Sequence, residues 1–157
     1  MWLQLQGQKE KEIMAKLSDA LKVLMADVVT EYFVAHGYHW NVEGSDFSQY
    51  HGLFEDIYGD VYGSIDPIAE NLRKLDVYAP FSLKSFLDLR TVESKEVKPE
   101  PKAMAKELLR INDEVLKSLE VAFKSATTEN EQGVANFLAD RIDMHQKWRW
   151  QLKASTK

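Results

Sequence analysis

An all-α fold, four long helices in a bundle with one long crossover, is predicted by three observations. Only 7 Gly and 4 Pro occur in 157 residues, too few for a β chain that must turn about every ten residues. Four long segments repeat apolar residues at the helical period. Three of the prolines, Pro80, Pro99 and Pro101, fall in one connection between the second and third segments. The length is that of one domain spanning residues 1–157, enough to bury about two-thirds of the unfolded surface. With 45% hydrophobic and 29% charged residues, the composition excludes a disordered or low-complexity chain.

The first helix holds Leu17, Leu21, Leu24 and Val28 and runs from roughly residue 8 to the high thirties. Asn41 to Asp46 reads as a loop, with Ser45 or Asp46 able to cap the next helix. The second helix carries Tyr50, Phe54, Ile57, Val61, Ile65, Ile68, Leu72 and Leu75, spaced by threes and fours. In the connection from Val77 to Pro101, Ser82 to Leu89 looks like a short helix capped by Ser82. The third long helix holds Met104, Leu108, Ile111, Val115 and Leu119, with Pro101 in its first turn. The fourth holds Val134, Leu138, Ile142 and Leu152.

Several function classes are excluded or disfavoured. Zero Cys removes disulfides, thiolate metal sites and thiol catalysis. A net charge of −5 disfavours a wholly basic nucleic-acid surface. No run is long and apolar enough to span a membrane. The start, MWLQLQGQKEKE, lacks the pattern of a signal peptide. A single-domain protein of the cytoplasm is the expectation.

The second helix carries the informative residues. With His51 at zero and about 100° per residue, Glu55 falls near 40°, Asp66 near 60° and Glu70 near 100°. The apolar series clusters at about 240–320°. One imidazole and three carboxylates therefore share a stripe facing away from the core. Glu55 and Asp66 are about 16 Å apart along the axis, so one chain cannot join them in one site. But the pairs 51/70 and 55/66 share the same midpoint in sequence. In two copies packed antiparallel about a twofold, His51 meets Glu70 of the mate and Glu55 meets Asp66, as an isologous interface requires. Gly52, Gly59 and Gly63 flank the stripe, each costing about 1 kcal/mol against Ala. Close approach of a second helix would explain them; a break at Pro67 is the competing explanation.

A plainer account exists for most of these residues. An acidic helix face is commonly just solvated. Asp66 before Pro67 also fits a helix N-cap, with Glu70 in the following first turn. Asp56 and Asp60 fall off the stripe and read as surface. His39, at the end of the first helix, can fold back over His51. Two neutral imidazoles with carboxylate oxygens suit a divalent metal, with iron, manganese and zinc all chemically possible.

The run from His39 to His51, His-Trp-Asn-Val-x-Gly-x-x-Phe-x-x-x-His, followed by Phe54-Glu55 and by Asp66-x-Ile-Ala-Glu70, resembles the signature of the Dps proteins, the DNA-protecting mini-ferritins of starved cells. The resemblance covers most of the chain, including the short Ser82-Leu-Lys-x-x-Leu87 helix. It implies a ferritin-like four-helix subunit, twelve of which form a hollow shell. It also implies a ferroxidase centre made by His39, His51 and Glu55 of one subunit with Asp66 and Glu70 of its twofold mate. The family usually has Asp where Glu55 stands, so the longer side chain puts metal affinity or the second iron's position in question. The implied activity is oxidation of Fe(II), preferably by hydrogen peroxide, with ferric iron stored inside. Trp40 resembles the family's Trp near the centre, which absorbs stray oxidising equivalents; core packing is its other explanation, and Tyr62 at the presumed interface has the same two. Pores lined by acids near the start of the last helix correspond to Glu129 and Glu131, although a charged loop explains these equally.

A bundle-core di-iron enzyme would need Glu-x-x-His motifs, and no Glu precedes any of the four His by three residues. His36 reads as surface or as a neighbour of the centre. His145 lacks an evident partner and reads as structural, and Trp2, Trp148 and Trp150 as packing or interface residues. The alternative function is a DNA-binding shell protein with weak or no ferroxidase activity. Lys147, Arg149, Lys153 and Lys157 near the C-terminus would serve it, although cations there also suit the helix dipole. Twelve chains total about −60, which repels DNA.

Overall fold

In this computed structural model, residues 15–157 are described; Trp2 and the expected start of the first helix near residue 8 lie outside them. Among the described residues five helices follow one another: α1 (Leu17–Asn41), α2 (Phe47–Lys74), α3 (Leu83–Leu89), α4 (Pro101–Thr128) and α5 (Gln132–Ser155). α1 packs along α2 and α4, α4 along α5, and α3 lies against α1. The apolar residues that predicted the helices form one core. Leu21, Leu24, Phe54, Ile57, Val61, Ile68, Leu108, Ile111, Val115, Leu119, Leu138 and Leu152 have almost no exposed surface. Each such side chain contributes about 1.5–3 kcal/mol of burial free energy.

Helix ends obey the local chemistry. Ser82 Oγ accepts from the Ser85 amide at 3.1 Å and starts α3. Pro101 opens α4 at a position where its missing N–H costs nothing. Asp46 occupies the N-cap position of α2 but makes no side-chain cap bond. α2 runs unbroken through Pro67, so the helix break is not found, and with it the capping role for Asp66 falls away. The long crossover is pinned by buried Asp27, which accepts from Thr91 N and Oγ1 at 2.7 Å, Val92 N at 3.0 Å and Ser118 Oγ at 2.6 Å. The α1–α2 turn needs Gly44, whose φ of 128° lies in a region side chains avoid.

Two sequence expectations are corrected inside the bundle. Asp60 is not plain surface: it pairs bidentately with Arg141 of α5, both contacts 2.8 Å, and accepts from the Trp148 indole at 2.7 Å. Burial alone would raise its carboxyl, but the hydrogen bonds from Arg141 and Trp148 and the Arg141 charge hold it below the usual carboxylate range. His145 does have partners. Its Nδ1 lies 2.9 Å from Asn112 Oδ1 and its Nε2 3.1 Å from an Arg141 nitrogen. Burial first, and then Arg141, lower His145 to about 3, so the ring is neutral. Glu31 Oε2 comes within 3.3 Å of it. Burial raises the Glu31 carboxyl to about 8, so that approach is between two neutral groups, not an ion pair.

Candidate metal centre

His39 ends α1 and His51 opens the second turn of α2, so the short turn between them folds one ring onto the other. The rings stack with centroids 3.7 Å apart and planes at 16°. Each ring is tied to the other's backbone: His39 Nδ1 lies 2.8 Å from the His51 carbonyl oxygen, and His51 Nδ1 lies 2.7 Å from that of His39. A carbonyl oxygen only accepts, so each Nδ1 carries the proton and donates. Each Nε2 is left with a lone pair. This is how metal-binding imidazoles are oriented, the second nitrogen held by a backbone acceptor. Phe47 stacks on the other face of His51 at 4.7 Å.

The stripe on α2 faces outward as its angles required. Glu55, Asp66 and Glu70 are exposed and His51 is half-buried, while Phe54, Ile57, Val61 and Ile68 are buried on the opposite side. Asp66 and Glu70, one helical turn apart, hydrogen-bond to each other. That bond, then the Asp66 charge, raises the Glu70 carboxyl above its ordinary value. The Lys74 charge offsets this crowding only in part, and a cation bound between two such acids relieves it further. Glu55 does not join the two imidazoles. Among the described residues no three His, Asp or Glu side chains of one chain converge into a metal site. The chain thus offers two fragments, an imidazole pair and a carboxylate pair, at different heights of one helix face.

That face has room. Among the described residues, a Cβ built on Gly52, Gly59 or Gly63 would meet no atom within 4 Å beyond its own stretch of helix, so packing among those residues does not account for these glycines. Tyr62 is 62% and Trp40 64% exposed, and Trp40 is therefore not a core residue. Its ring centroid lies 4.2 Å from that of His36. His36 stacks on Tyr58 and its Nδ1 lies 3.0 Å from the Tyr32 hydroxyl. Tyr32 and Tyr58 are not among the residues that the sequence singled out. Their signal was the spacing Tyr32-His36-Trp40 on α1 and Tyr58-Tyr62 on α2, four residues apart on facing helices.

The acids suggested for a pore lie in the α4–α5 turn. Glu129 Oε2 accepts from the Leu17 amide at 2.6 Å and so caps α1. Glu131 precedes α5 and is exposed, with no side-chain cap bond. The basic residues near the C-terminus belong to a packed helix. Arg149 pairs with Asp113 at 2.9 Å, Leu152 is buried, and the Ser155 carbonyl accepts from Tyr50.

A ferritin-like domain model matches residues 18–157. A DNA protection during starvation protein of Helicobacter pylori is 28% identical over 140 residues, which span 88% of this chain and 97% of that one. The X-ray structure of Dps from Thermosynechococcus elongatus superposes with a TM-score of 0.86 at 27% identity, covering 90% of each chain. The Dps structure from Vibrio cholerae O1, described as a ferritin-like diiron-carboxylate protein, superposes at 0.85 with 26% identity, covering 90% of this chain and 89% of that one.

Proposed function

The chain belongs to the ferritin-like superfamily and, within it, to the Dps family, and from that membership we propose that it oxidises Fe(II) and stores the ferric product in a shell of its own copies. The observation that carries this is the pair of imidazoles whose Nδ1 protons are spent on backbone carbonyls, leaving two Nε2 lone pairs beside an exposed acidic stripe. The two fragments become one centre when α2 packs antiparallel against α2 of a partner subunit. His39, His51 and Glu55 of one protomer then face Asp66 and Glu70 of the partner subunit, twice per dimer. The open space over Gly52, Gly59 and Gly63 supports that approach. Twelve such protomers make the shell.

Iron is the substrate here. Imidazole nitrogens accept Fe(II), and carboxylate oxygens prefer the harder Fe(III), so the donor set favours the oxidised product. Two Fe(II) handled together reduce one hydrogen peroxide by two electrons, taking up two protons and giving two water molecules. The pair of acids Asp66 and Glu70 supplies charge to match the metal's gain. Glu55, one methylene longer than the family's usual Asp, reaches further from α2 and sets the position of one iron. Glu129 and Glu131 are the acids at hand for an entry path, with Glu131 the freer of the two.

The test is addition of Fe(II), then peroxide, followed by size-exclusion chromatography with iron detection. Ferric iron should co-elute with a particle near twelve subunits. It should vanish in a His51→Ala, Asp66→Ala variant that still assembles. Iron that precipitates with no protein-bound fraction defeats the proposal, unless Glu55→Asp restores it, which would locate the fault in the longer side chain. Gly63→Leu should leave the protomer folded but prevent the twofold contact, because the new side chain enters space that only a partner occupies.

A further inference from the structure

Beside the paired imidazoles lies an unbroken array of aromatic rings that metal binding does not use. His39 meets the edge of Tyr58, centroids 5.1 Å apart at 72°. Tyr58 stacks on His36 at 3.9 Å and 18°. His36 Nδ1 then lies 3.0 Å from the Tyr32 hydroxyl. The array belongs to α1 and α2 together and is half-buried along its length.

Tyr32 differs from the other tyrosines in what its hydroxyl touches. Oxidising a phenol makes it a strong acid, so its proton must leave with the electron. An acceptor base at hydrogen-bond distance is therefore the requirement. The Tyr50 hydroxyl donates to a backbone carbonyl, which cannot take a proton away. The Tyr38 hydroxyl is buried with no partner among the described residues. Tyr32 faces an imidazole, and that imidazole stacks on the ring in contact with His39.

We propose that Tyr32 and His36 form a redox pair: Tyr32 gives up one electron, and its proton to His36 Nδ1, when a one-electron oxidant arises at the His39–His51 centre. This rests on the iron-oxidising function proposed above. When only one Fe(II) meets peroxide, it yields Fe(III), hydroxide and hydroxyl radical. The radical takes an electron through Tyr58 from Tyr32 and becomes a second hydroxide. Tyr32 is left as a neutral phenoxyl radical and His36 as an imidazolium. A second Fe(II) returns an electron to Tyr32, and His36 returns the proton to the hydroxyl. Two protons taken up from the buffered solution neutralise the two hydroxides. The sum is two Fe(II), one peroxide and two protons going to two Fe(III) and two water molecules, so the pair lets two iron atoms act in succession without releasing a radical. Trp40, stacked against His36 but exposed, is the competing electron source.

The experiment has an iron-free arm and an iron arm. In the first, photogenerated ruthenium(III) tris-bipyridine oxidises the iron-free assembly, and freeze-quench electron paramagnetic resonance reads the radical. The expected signal is a tyrosyl that narrows with ring-deuterated tyrosine but not with deuterated tryptophan. It should disappear in Tyr32→Phe and fall about tenfold or more in His36→Phe, where the base is gone. In the second arm, Fe(II) and peroxide replace the photo-oxidant, and spin-trapped hydroxyl radical per iron oxidised should rise in both variants. A tryptophan radical, or a tyrosyl signal that survives Tyr32→Phe, overturns the proposal, and the labelled unmutated protein decides this even if a variant misfolds. A pair active in the first arm but silent in the second, while iron is oxidised, also overturns it. Absence of iron oxidation altogether defeats the iron chemistry itself, with the first arm still reading the pair.

Discussion

The four helices hold two groups of histidines and acids whose chemistry is opposite. In the core, His145 spends Nδ1 on Asn112 and accepts from Arg141 at Nε2. Its ring is neutral yet has no lone pair left for a metal. On the outer face, His39 and His51 spend only Nδ1 and keep Nε2. The acids divide the same way. Asp60 is neutralised by Arg141 within the chain, whereas Asp66 and Glu70 face each other, and the charge of Lys74 offsets their crowding only in part. A closed network stabilises a fold; an open one waits for something to complete it. The distinction is made by what the second nitrogen or the second oxygen touches, not by residue type.

The largest expected effect breaks the closed side. Asp60→Ala strands the Arg141 guanidinium, and removing one partner of a buried ion pair costs about 3–5 kcal/mol. Denaturant unfolding at fixed protein concentration measures it, and a loss near zero would mean the core pairing is idle. On the open side, His51→Ala should cost stability only about 1 kcal/mol while weakening anaerobic Fe(II) binding by at least about tenfold. Calorimetry on His145→Gln should show Fe(II) binding unchanged. If His145→Gln lost iron as His51→Ala does, the contrast between the two networks would be wrong.

Glu31 sharpens the comparison, because its carboxyl oxygens have no hydrogen-bond partner among the described residues. With its carboxyl raised from 4.5 to about 8, the folded state keeps a proton that the unfolded state releases. Its contribution is complete below pH 4.5, is lost as pH rises through 8, and is flat beyond. Glu31→Gln should remove that slope, which is at most about 1.4 kcal/mol per pH unit. Stability curves of the two proteins that run parallel between those values would show that Glu31 is charged. The smallest effect concerns DNA. Cutting residues 150–157 would remove buried Leu152 and the Tyr50 contact, so charge reversal, Lys153→Glu with Lys157→Glu, is the cleaner probe. No gel shift is expected with or without it at physiological salt.

Much of the fold is legible in the sequence. The four helices follow from apolar spacing, and Ser82 and Pro101 mark starts where local chemistry suffices. The outward stripe follows from helix angles alone. The features that are not legible need a second helix. Asp60 sits at the border of the α2 wheel, where only the length of Arg141 on α5 turns surface into core. That Glu129 caps α1 is hidden because Leu17, whose amide it accepts from, is distant in sequence. The Tyr32–His36 contact lies within one helix, but its link to His39 runs through Tyr58 on the next.

The reciprocal tie between His39 and His51 spans twelve residues, whereas the Asp27 clip joins residues 64 and 65 apart. Loops that close early cost least entropy, so sequence-near contacts form first. The imidazole pair therefore belongs to the opening hairpin of the folding chain, ready before the crossover and the last two helices have arrived. A nascent protomer thus holds its two imidazoles in place from the start, and the order of folding follows the order of synthesis.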